Sequence, residues 1–550
     1  MSKHSDHLFK PYRQGQTHLF PPSVESLISE NHPVRLINRV IDELDISPIL
    51  SMYPGGGSSS YHPRMMLKVL VYAYVRNIYS SRKIEQAIQE HVHFMWLAGG
   101  NQPDHNSINR FRSNRLKGTF QSIFSQVVLL LHESGYLTIK DLYTDGTKIE
   151  ANANRYTFVW GKSIDTNRKR ISAQLKELWA YAERVAKEEL MDTQPCDFDE
   201  LDPEAVAKTI AAIDDAIKAS PDSDPKKKQK ASYGRKNWPK KLKQYQQDKE
   251  KLGDRNSFSK TDPDATFMRM KEDHMKNGQL KAGYNLELST NNQFIVHYSL
   301  HHNPTDTLTL KPHLAGYYQY YNQYPEVLTA DAGYGSEENY AFLEENKTLG
   351  YVKYNYFHKE QKKAFQKKYP FHPNTLHYDP HKDLYICPMG QPMKNIGSYV
   401  RKSSNQYPQH ITRYQAQNCH GCPLRTACHK GKEDRIIEVN HQLNRYKQQA
   451  RQRLTSEQGI EKRKRRGCEV EAVFGNLKQN HGFKRFALRG MQKVEVETGL
   501  HALAHNFRKW AAEMLEVQLH QAKKELKAQY QSLIELCKSL IHHKMILALK

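Results

Sequence analysis

Apolar positions along the chain keep a period near 3.6 over its first quarter, switch to a period near 2 in a few short runs, and then alternate between the two. In residues 33–50, Val34, Ile37, Val40, Ile41 and Leu44 predict a helix with proline at its opening. The run Gly55–Ser60 (GGGSSS) breaks the chain, after which Pro63 opens a second helix through Met66, Leu67, Val69, Leu70, Ala73 and Tyr74. Ser80 and Ser81 introduce a third, carrying Ile84, Ala87 and Ile88. A fourth follows Asp104, with Ile108, Phe111 and Leu116 inward and Arg110, Arg112 and Arg115 outward. Residues 1–20 form a polar lead-in, and a long helix over 120–131 closes an all-α N-terminal domain, 1–135. It reads equally as a helix-turn-helix DNA module and as a bundle solvated by its arginines.

From residue 136 the pattern is mixed. A strand over 142–149 carries Asp145 at its middle. A polar insertion, 156–276, contains amphipathic helices near 171–190 and 203–217. Its basic run PKKKQKASYGRKNWPKK, with Tyr233 and Trp238 interspersed, is either a solvated linker or a grip on a nucleic-acid backbone. Two strands, 284–288 and 294–300, flank a hairpin turn at Asn291 and Asn292. Helix 308–321, strand 326–330, helix 337–345 and strand 350–354 follow, predicting an α/β fold: a mixed sheet flanked by helices. Asp331 directly follows an apolar strand and precedes a glycine turn, a position at which α/β proteins bind ligands and metals. Further on, Val470, Val473, Phe474 and Leu477 give a helix from about residue 467 an apolar stripe. Glu471 and Lys478 share one flank of that stripe, Glu469 leaves by the other, and Gly475 offers an approach between them. The core spans 136–511, with a cysteine-containing insertion at 380–430. A helical tail, 512–550, repeats Leu519, Leu526, Tyr530, Leu533, Leu536 and Leu540, as a partner helix for dimerisation or an intramolecular lid.

Charge narrows the function. The 550 residues hold 82 Lys and Arg against 59 Asp and Glu, a net +23, with 10% aromatics, so the picture is a folded basic protein whose partner is a polyanion. No apolar run nears the roughly 18 residues of a membrane span, and MSKHSDHLF lacks a secretory apolar core. Seven unevenly spread cysteines fit a reducing compartment, so a cytoplasmic location and no membrane partner are expected. The first and fourth strands of the sheet can bring Asp145 and Asp331 together, and the later helix can add Glu471. Three such carboxylates repel one another unless cations join them, and hard oxygen ligands suit Mg²⁺ or Mn²⁺. Two such ions serve phosphodiester displacement. Cys387, Cys419, Cys422 and Cys428, with a CxxC at their centre, make a candidate zinc knuckle, with His420 and His429 as spare ligands; Cys196, Cys468 and Cys537 stand apart.

The motifs YTDGTKIEANA, TADAGYGSEEN and VEAVFGNLKQNHGFKRFALRG, followed by KVEVETGLHALAHNFRKW, resemble the DDE transposases of bacterial insertion sequences. The segment HPRMMLKVLVYAYVRNIYSSRKIEQAI through FMWL and NSINRFR is similar to the N-terminal domain found with that core, so the resemblance runs from about residue 18 to residue 511. It implies a ribonuclease-H-like catalytic core, with Asp145, Asp331 and Glu471 as metal-binding catalytic carboxylates and Lys478 acting on DNA. Arg466, Lys484, Arg485, Arg489, Arg110 and Arg112 are the further basic residues expected at DNA. It also implies terminal inverted repeats and target DNA as partners, and at least a homodimer in the DNA complex. The sequence departs from the family spacing Tyr-x-x-Arg-x-x-x-Glu: Lys464 and Gly467 stand at those places, with Arg466 one position away, and Glu469 competes with Glu471. A metal-dependent nuclease without joining, a DNA-binding regulator or inactive relic, and a helical scaffold with incidental charges are the alternatives.

Overall fold

A computed structural model describes residues 23–53, 60–190, 193–270, 279–403 and 405–548. The polar lead-in, the glycine-rich break at 55–59 and the side chains of Leu536 and Leu540 lie outside the described residues. The chain divides into two compact units, Met1–Arg115 with Phe507–Lys550, and Leu116–Asn506.

In the first unit, helices Pro33–Glu43 and Pro63–Val75 both begin on proline, whose missing N–H costs nothing in a first turn. His32 and His62 cap them, each Nδ1 accepting a backbone N–H two residues on at 3.2 Å. Ile37 and Ile41 of one helix and Leu67, Leu70 and Ala73 of the other are buried. Helices Ser81–Glu90, Val92–Leu97 and His105–Arg110 follow, and the last widens into a π turn, Phe111–Arg115. The unit ends earlier than the expected residue 135, because helix Phe120–Glu133 packs on the sheet of the other unit. There Gln121 donates to the Tyr298 carbonyl at 3.2 Å and the Phe124 ring meets that of Tyr298 edge-on at 5.1 Å.

The second unit is built on a mixed sheet of β1 (Asp141–Glu150), β2 (Leu280–Asn291), β3 (Phe294–His301), β4 (Val327–Ala330) and β5 (Leu349–Val352), in the order β3-β2-β1-β4-β5. A sixth strand, Thr266–Arg269, pairs with the start of β2. The pairs β1–β2 and β2–β3 are antiparallel and β1–β4 and β4–β5 parallel, an arrangement compatible with a ribonuclease-H-like core. The hairpin turn falls one residue later than expected, on Asn292 and Gln293, whose φ of 49° and 60° are the left-handed values a tight two-residue turn demands. Asn291 stays in the strand and donates to the Asp141 carbonyl at 2.7 Å. In the parallel ladder Thr144 faces Ala330, so the next residues in register are Asp145 and Asp331.

The insertion forms three helices, α1 (Gly161–Val185), α2 (Pro203–Ala219) and α3 (Pro225–Leu252), around a core of its own that includes Leu175, Leu178, Ile210, Ile213, Trp238 and Leu242. The basic run is therefore no loose linker: Trp238 within it is 2% exposed and anchors α3. Farther along, strands His377–Asp379, Leu384–Ile386, Pro392–Lys402, Pro408–Ala416 and Ile436–Val439 make a separate antiparallel sheet over Tyr385, Met393, Tyr414 and Ile437.

The helix expected from residue 467 begins ten residues earlier, as α4 (Glu457–Arg466), where the Ser456 hydroxyl caps the Gly459 N–H at 3.1 Å. It continues through a π turn at Gly467–Glu471, a short α segment at Ala472–Gly475 and a second π turn at Asn476–Asn480. The expected separate tail is instead the far part of one helix, α5 (Met491–Ala548), on which Leu519, Leu526, Tyr530 and Leu533 are exposed. Near its start Gly499 admits the sheet and helix Phe120–Glu133: a Cβ there would lie 2.2 Å from the Tyr298 hydroxyl and 2.5 Å from the Phe120 ring.

Candidate active site

β1 lies between two neighbours at the centre of the sheet, which buries Thr144, Asp145 and Thr147. A carboxylate there needs a partner of opposite charge. Arg466 supplies it: Nη2 lies 2.9 Å from Asp145 Oδ2 and 3.8 Å from Asp331 Oδ2, while Nη1 donates to Glu471 Oε1 at 2.8 Å. Sharing one nitrogen at those distances, Asp145 and Asp331 lie closer than the roughly 8 Å over which two hard ions share ligands. One guanidinium thus gathers the three acids that the sequence separates by hundreds of residues. Asp145 and Arg466 are buried, whereas the side chains of Asp331 and Glu471 are 46% and 55% exposed.

The π turn makes this convergence work. In an α-helix residues five apart diverge by about 140°, but an i→i+5 turn returns them to one face, so Arg466 and Glu471 meet. The arginine one place out of the family spacing therefore stands directly against the glutamate. Glu469 leaves by the other side, 3% exposed, accepting the Gln293 N–H at 2.8 Å and the Arg465 Nε–H at 2.9 Å. It braces the hairpin turn and does not join the other three carboxylates.

Burial pushes the Asp331 carboxyl up, but Arg466, the Ala332 amide and Lys353, whose Nζ is 3.3 Å from Oδ1, outweigh it and hold the group below its ordinary value. The residues gathered are hard oxygen donors, and among the described residues the buried Arg466 Nε has no hydrogen-bond partner, so the guanidinium is held by the carboxylates rather than from its stem. That donor set fits Mg²⁺ or Mn²⁺, although among the described residues no three His, Cys, Asp or Glu side chains form a metal-holding group as they stand.

A transposase DDE domain model matches residues 386–511, and a second family model, the transposase domain DUF772, matches residues 22–114. Both matches support a DDE transposase of the insertion-sequence type. No curated protein and no solved structure matches it. The DDE match spans Arg466 and Glu471 and the four cysteines; Asp145 and Asp331 lie N-terminal to it. DNA as substrate follows from the family, and among the described residues no helix is long and apolar enough to cross a membrane.

The basic residues expected at DNA divide sharply in the transposase. Lys478 is 7% exposed, its ammonium donating to Thr147 Oγ1 at 2.7 Å and the Lys148 carbonyl at 3.3 Å, so it is turned into β1 rather than along the rim. Arg112 does not point outward: it is 4% exposed and donates to the Tyr79 carbonyl at 2.7 Å, because the π turn rolls it into the bundle. Arg115 likewise lies over the Tyr53 ring, 4.4 Å from its centre. Arg485 donates to the carbonyls of Ala151 and Ala153, and Arg489 to that of Asn152 at 2.8 Å. Arg110 and Lys484 are exposed. Of the cysteines, Cys387 and Cys419 pack on the second sheet, Cys387 Sγ accepts the Gln391 N–H at 3.3 Å, and Arg435 reaches Cys419 Sγ through its amide at 3.4 Å and Cys428 Sγ through Nη1 at 2.8 Å.

Sequence reading missed Glu287 and Asp306. Glu287 on β2 faces Gly146 across the ladder, where a Cβ would come within 2.7 Å of Glu287 Oε1 and 3.0 Å of Asp306 Oδ1. A charged residue inside the run LELS was the available signal. The carboxyl accepts the Thr309 hydroxyl at 2.7 Å and the hydroxyl of Tyr334, from the turn that begins at Asp331. Burial, then Asp306 and more weakly Asp145, push Glu287 up to about 8 against those two hydrogen bonds. The folded state therefore keeps a proton that the unfolded chain releases near pH ~4.3, and stability from this group is lost as pH rises from about 4 through about 8. Glu287→Gln is expected to gain stability over the wild type with each pH step in that window, read from urea midpoints at both ends. A difference that does not change with pH would exclude the raised value.

Proposed function

We propose that this transposase cleaves at the terminal inverted repeats of its element and transfers the freed 3′-hydroxyl ends to target DNA, in the cytoplasm and as a dimer on paired ends. The observation that carries the reading is the convergence of Asp145, Asp331 and Glu471 on Arg466. Asp145, Asp331 and Glu471 would hold Mg²⁺ or Mn²⁺, which when bound activate an attacking oxygen and stabilise the leaving one. The chain's own residues prepare the site. β1 and β4 set the two aspartates side by side, and the π turn aims Glu471 at them. Arg466, released from carboxylates that have taken cations, presents a planar fork suited to phosphate oxygens. The exposed Gly475, with nothing among the described residues within 4 Å of a Cβ outside its own helix backbone, leaves room beside the acids for a DNA strand.

In the reaction, a water oxygen attacks phosphorus at the element end, and the 3′-oxygen departs and takes up a proton. That 3′-hydroxyl then attacks a target phosphorus, and a target 3′-oxygen leaves in turn. Number and kind of bonds are conserved, so no other energy source is needed. The test incubates the purified protein with labelled DNA carrying the sequences that flank its gene, a target plasmid and Mg²⁺. End cleavage with joined product supports the proposal. Cleavage without joining identifies a nuclease, and binding with neither identifies a regulator or relic.

Structural zinc on Cys387, Cys419, Cys422 and Cys428 belongs to the same reading, supported by the amide-to-sulfur hydrogen bonds at Cys387 and Cys419. Elemental analysis of the purified protein is expected to find about one zinc per chain, lost in Cys422→Ser. Absence of zinc from the wild type removes the knuckle and leaves the carboxylate site untouched.

A further inference from the structure

We propose that the outward face of α3, in the insertion, is a ridge that grips the phosphate backbone of duplex DNA. The proposal rests on the reading that DNA is the substrate but uses none of the catalytic residues. The helix holds eleven Lys and Arg against Asp248 and Glu250. Eight of these cations fall into two sets. Those on its flanks serve the fold: Lys227 and Lys230 pair with Glu177, and Arg235 with Asp214 and Asp215 at 3.2 and 2.6 Å.

The other set lies opposite the buried face of Ala231, Trp238 and Leu242. At about 100° per residue, Lys226, Tyr233, Lys236, Lys240, Lys243 and Lys251 fall on one side with Gln229 and Gln247 between them, and Glu250, about 20° beyond Lys243, is the one exposed carboxylate of the helix that borders this face. All six are exposed, and among the described residues none of these five lysines has an ion-pair partner. Asp202 and Glu204 edge the hollow beside Lys240 and Lys243, and Asp202 is occupied in capping α2. A face that was merely solvated would mix signs along its length.

The ridge has the dimensions of its target. Twenty-five residues of helix separate its ends, about 37 Å at 1.5 Å per residue, close to the roughly 34 Å of one duplex turn. Tyr233, 50% exposed, receives a hydrogen bond from Lys241 at 2.9 Å and offers a hydroxyl and a ring among the ammonium groups. Point charges on flexible stems, with no bidentate arginine on the face, suit sequence-independent phosphate binding. The core cluster beneath holds the ridge rigid, so its charges meet DNA without first ordering a linker.

The test uses the full-length protein and a random-sequence duplex of about 30 base pairs. Binding is measured between 50 and 200 mM salt for the wild type and for the triple variant Lys236→Ala, Lys240→Ala, Lys243→Ala. The slope of log affinity against log salt should fall by about 2 to 3, at about 0.9 for each phosphate no longer neutralised, with affinity down tenfold or more. Lys227→Ala with Lys230→Ala, which removes cations already paired with Glu177, should leave the slope within about one unit of the wild type. An unchanged slope in the triple variant, with its helical circular dichroism intact, overturns the ridge. Failure of the transposase reading looks different: the wild type then neither cleaves nor joins, while the triple variant still loses slope.

Discussion

Asp331→Asn protein is expected to retain specific binding of element ends, with its salt slope unchanged, while metal-dependent cleavage falls by about 10³-fold or more, the scale set by losing one group that stabilises the transition state. Asp331 lies where the parallel ladder of β1 and β4 runs out, beside Asp145. The substitution keeps shape and hydrogen bonding and removes only charge and ligand strength. Lys353, 3.3 Å from the carboxylate, and Arg466 then face an amide, so the positive potential around the site rises and phosphate binding has no reason to weaken. A variant in which binding and cleavage fall together, with the fold intact, would mean that Asp331 organises the DNA surface instead. The pH dependence has a definite sign as well. Because the Asp331 carboxyl is held below its ordinary value, the stability it contributes is present above the unfolded value and is lost as pH falls through the folded one. Asp331→Asn should flatten that acid limb.

Arg466→Ala is expected to destabilise the metal-free protein by about 3 to 5 kcal/mol, the cost of leaving a buried charge without its partner. Asp145 and Arg466 have side chains 10% and 8% exposed, so water cannot stand in for the missing guanidinium, and Asp331 and Glu471 become bare like charges beside Asp145. Two relaxations are open. The acids can take up protons, which makes the variant's deficit shrink as pH falls, or they can take up cations. Mg²⁺ or Mn²⁺ should therefore raise the variant's melting midpoint more than the wild type's, since the ion no longer competes with a guanidinium. A variant that melts like the wild type in chelator, or that gains no more from Mn²⁺, would show that the guanidinium is not what holds the three acids.

The sequence was most legible where physics acts locally. Alternation and glycine turns located β1 and β4, and proline at a first turn marked two N-terminal helices before any packing was known. The mixed sheet followed from the order of those elements. What could not be read lay in strand register and in helix pitch. The order of the elements allowed the strands of Asp145 and Asp331 to meet, but the register between β1 and β4 that sets the two residues side by side is encoded by no local pattern. Arg112 was expected outside on α-helical counting, and a widened turn carried it inward. Lys478 shares a flank with Glu471 by the same counting, yet two π turns and an available hydroxyl on Thr147 draw it into β1. Glu287 escaped notice because a single acid in an apolar strand ordinarily signals an exposed position, whereas three hydroxyl and amide neighbours and a raised proton affinity let this one be buried.

The widened turn at Gly467–Glu471 has a consequence for how such sites are found. An extra residue in a helix normally rotates everything after it by about 100°, which would drag Val473, Phe474 and Leu477 off their apolar stripe. A π turn absorbs that residue within a single loop of backbone, so the downstream face keeps its packing and the cost stays local. The letters between arginine and glutamate grow by one, yet the two side chains meet at 2.8 Å. A pattern written as a fixed number of intervening characters discards such a chain, and one written as a guanidinium within hydrogen-bonding reach of a carboxylate keeps it.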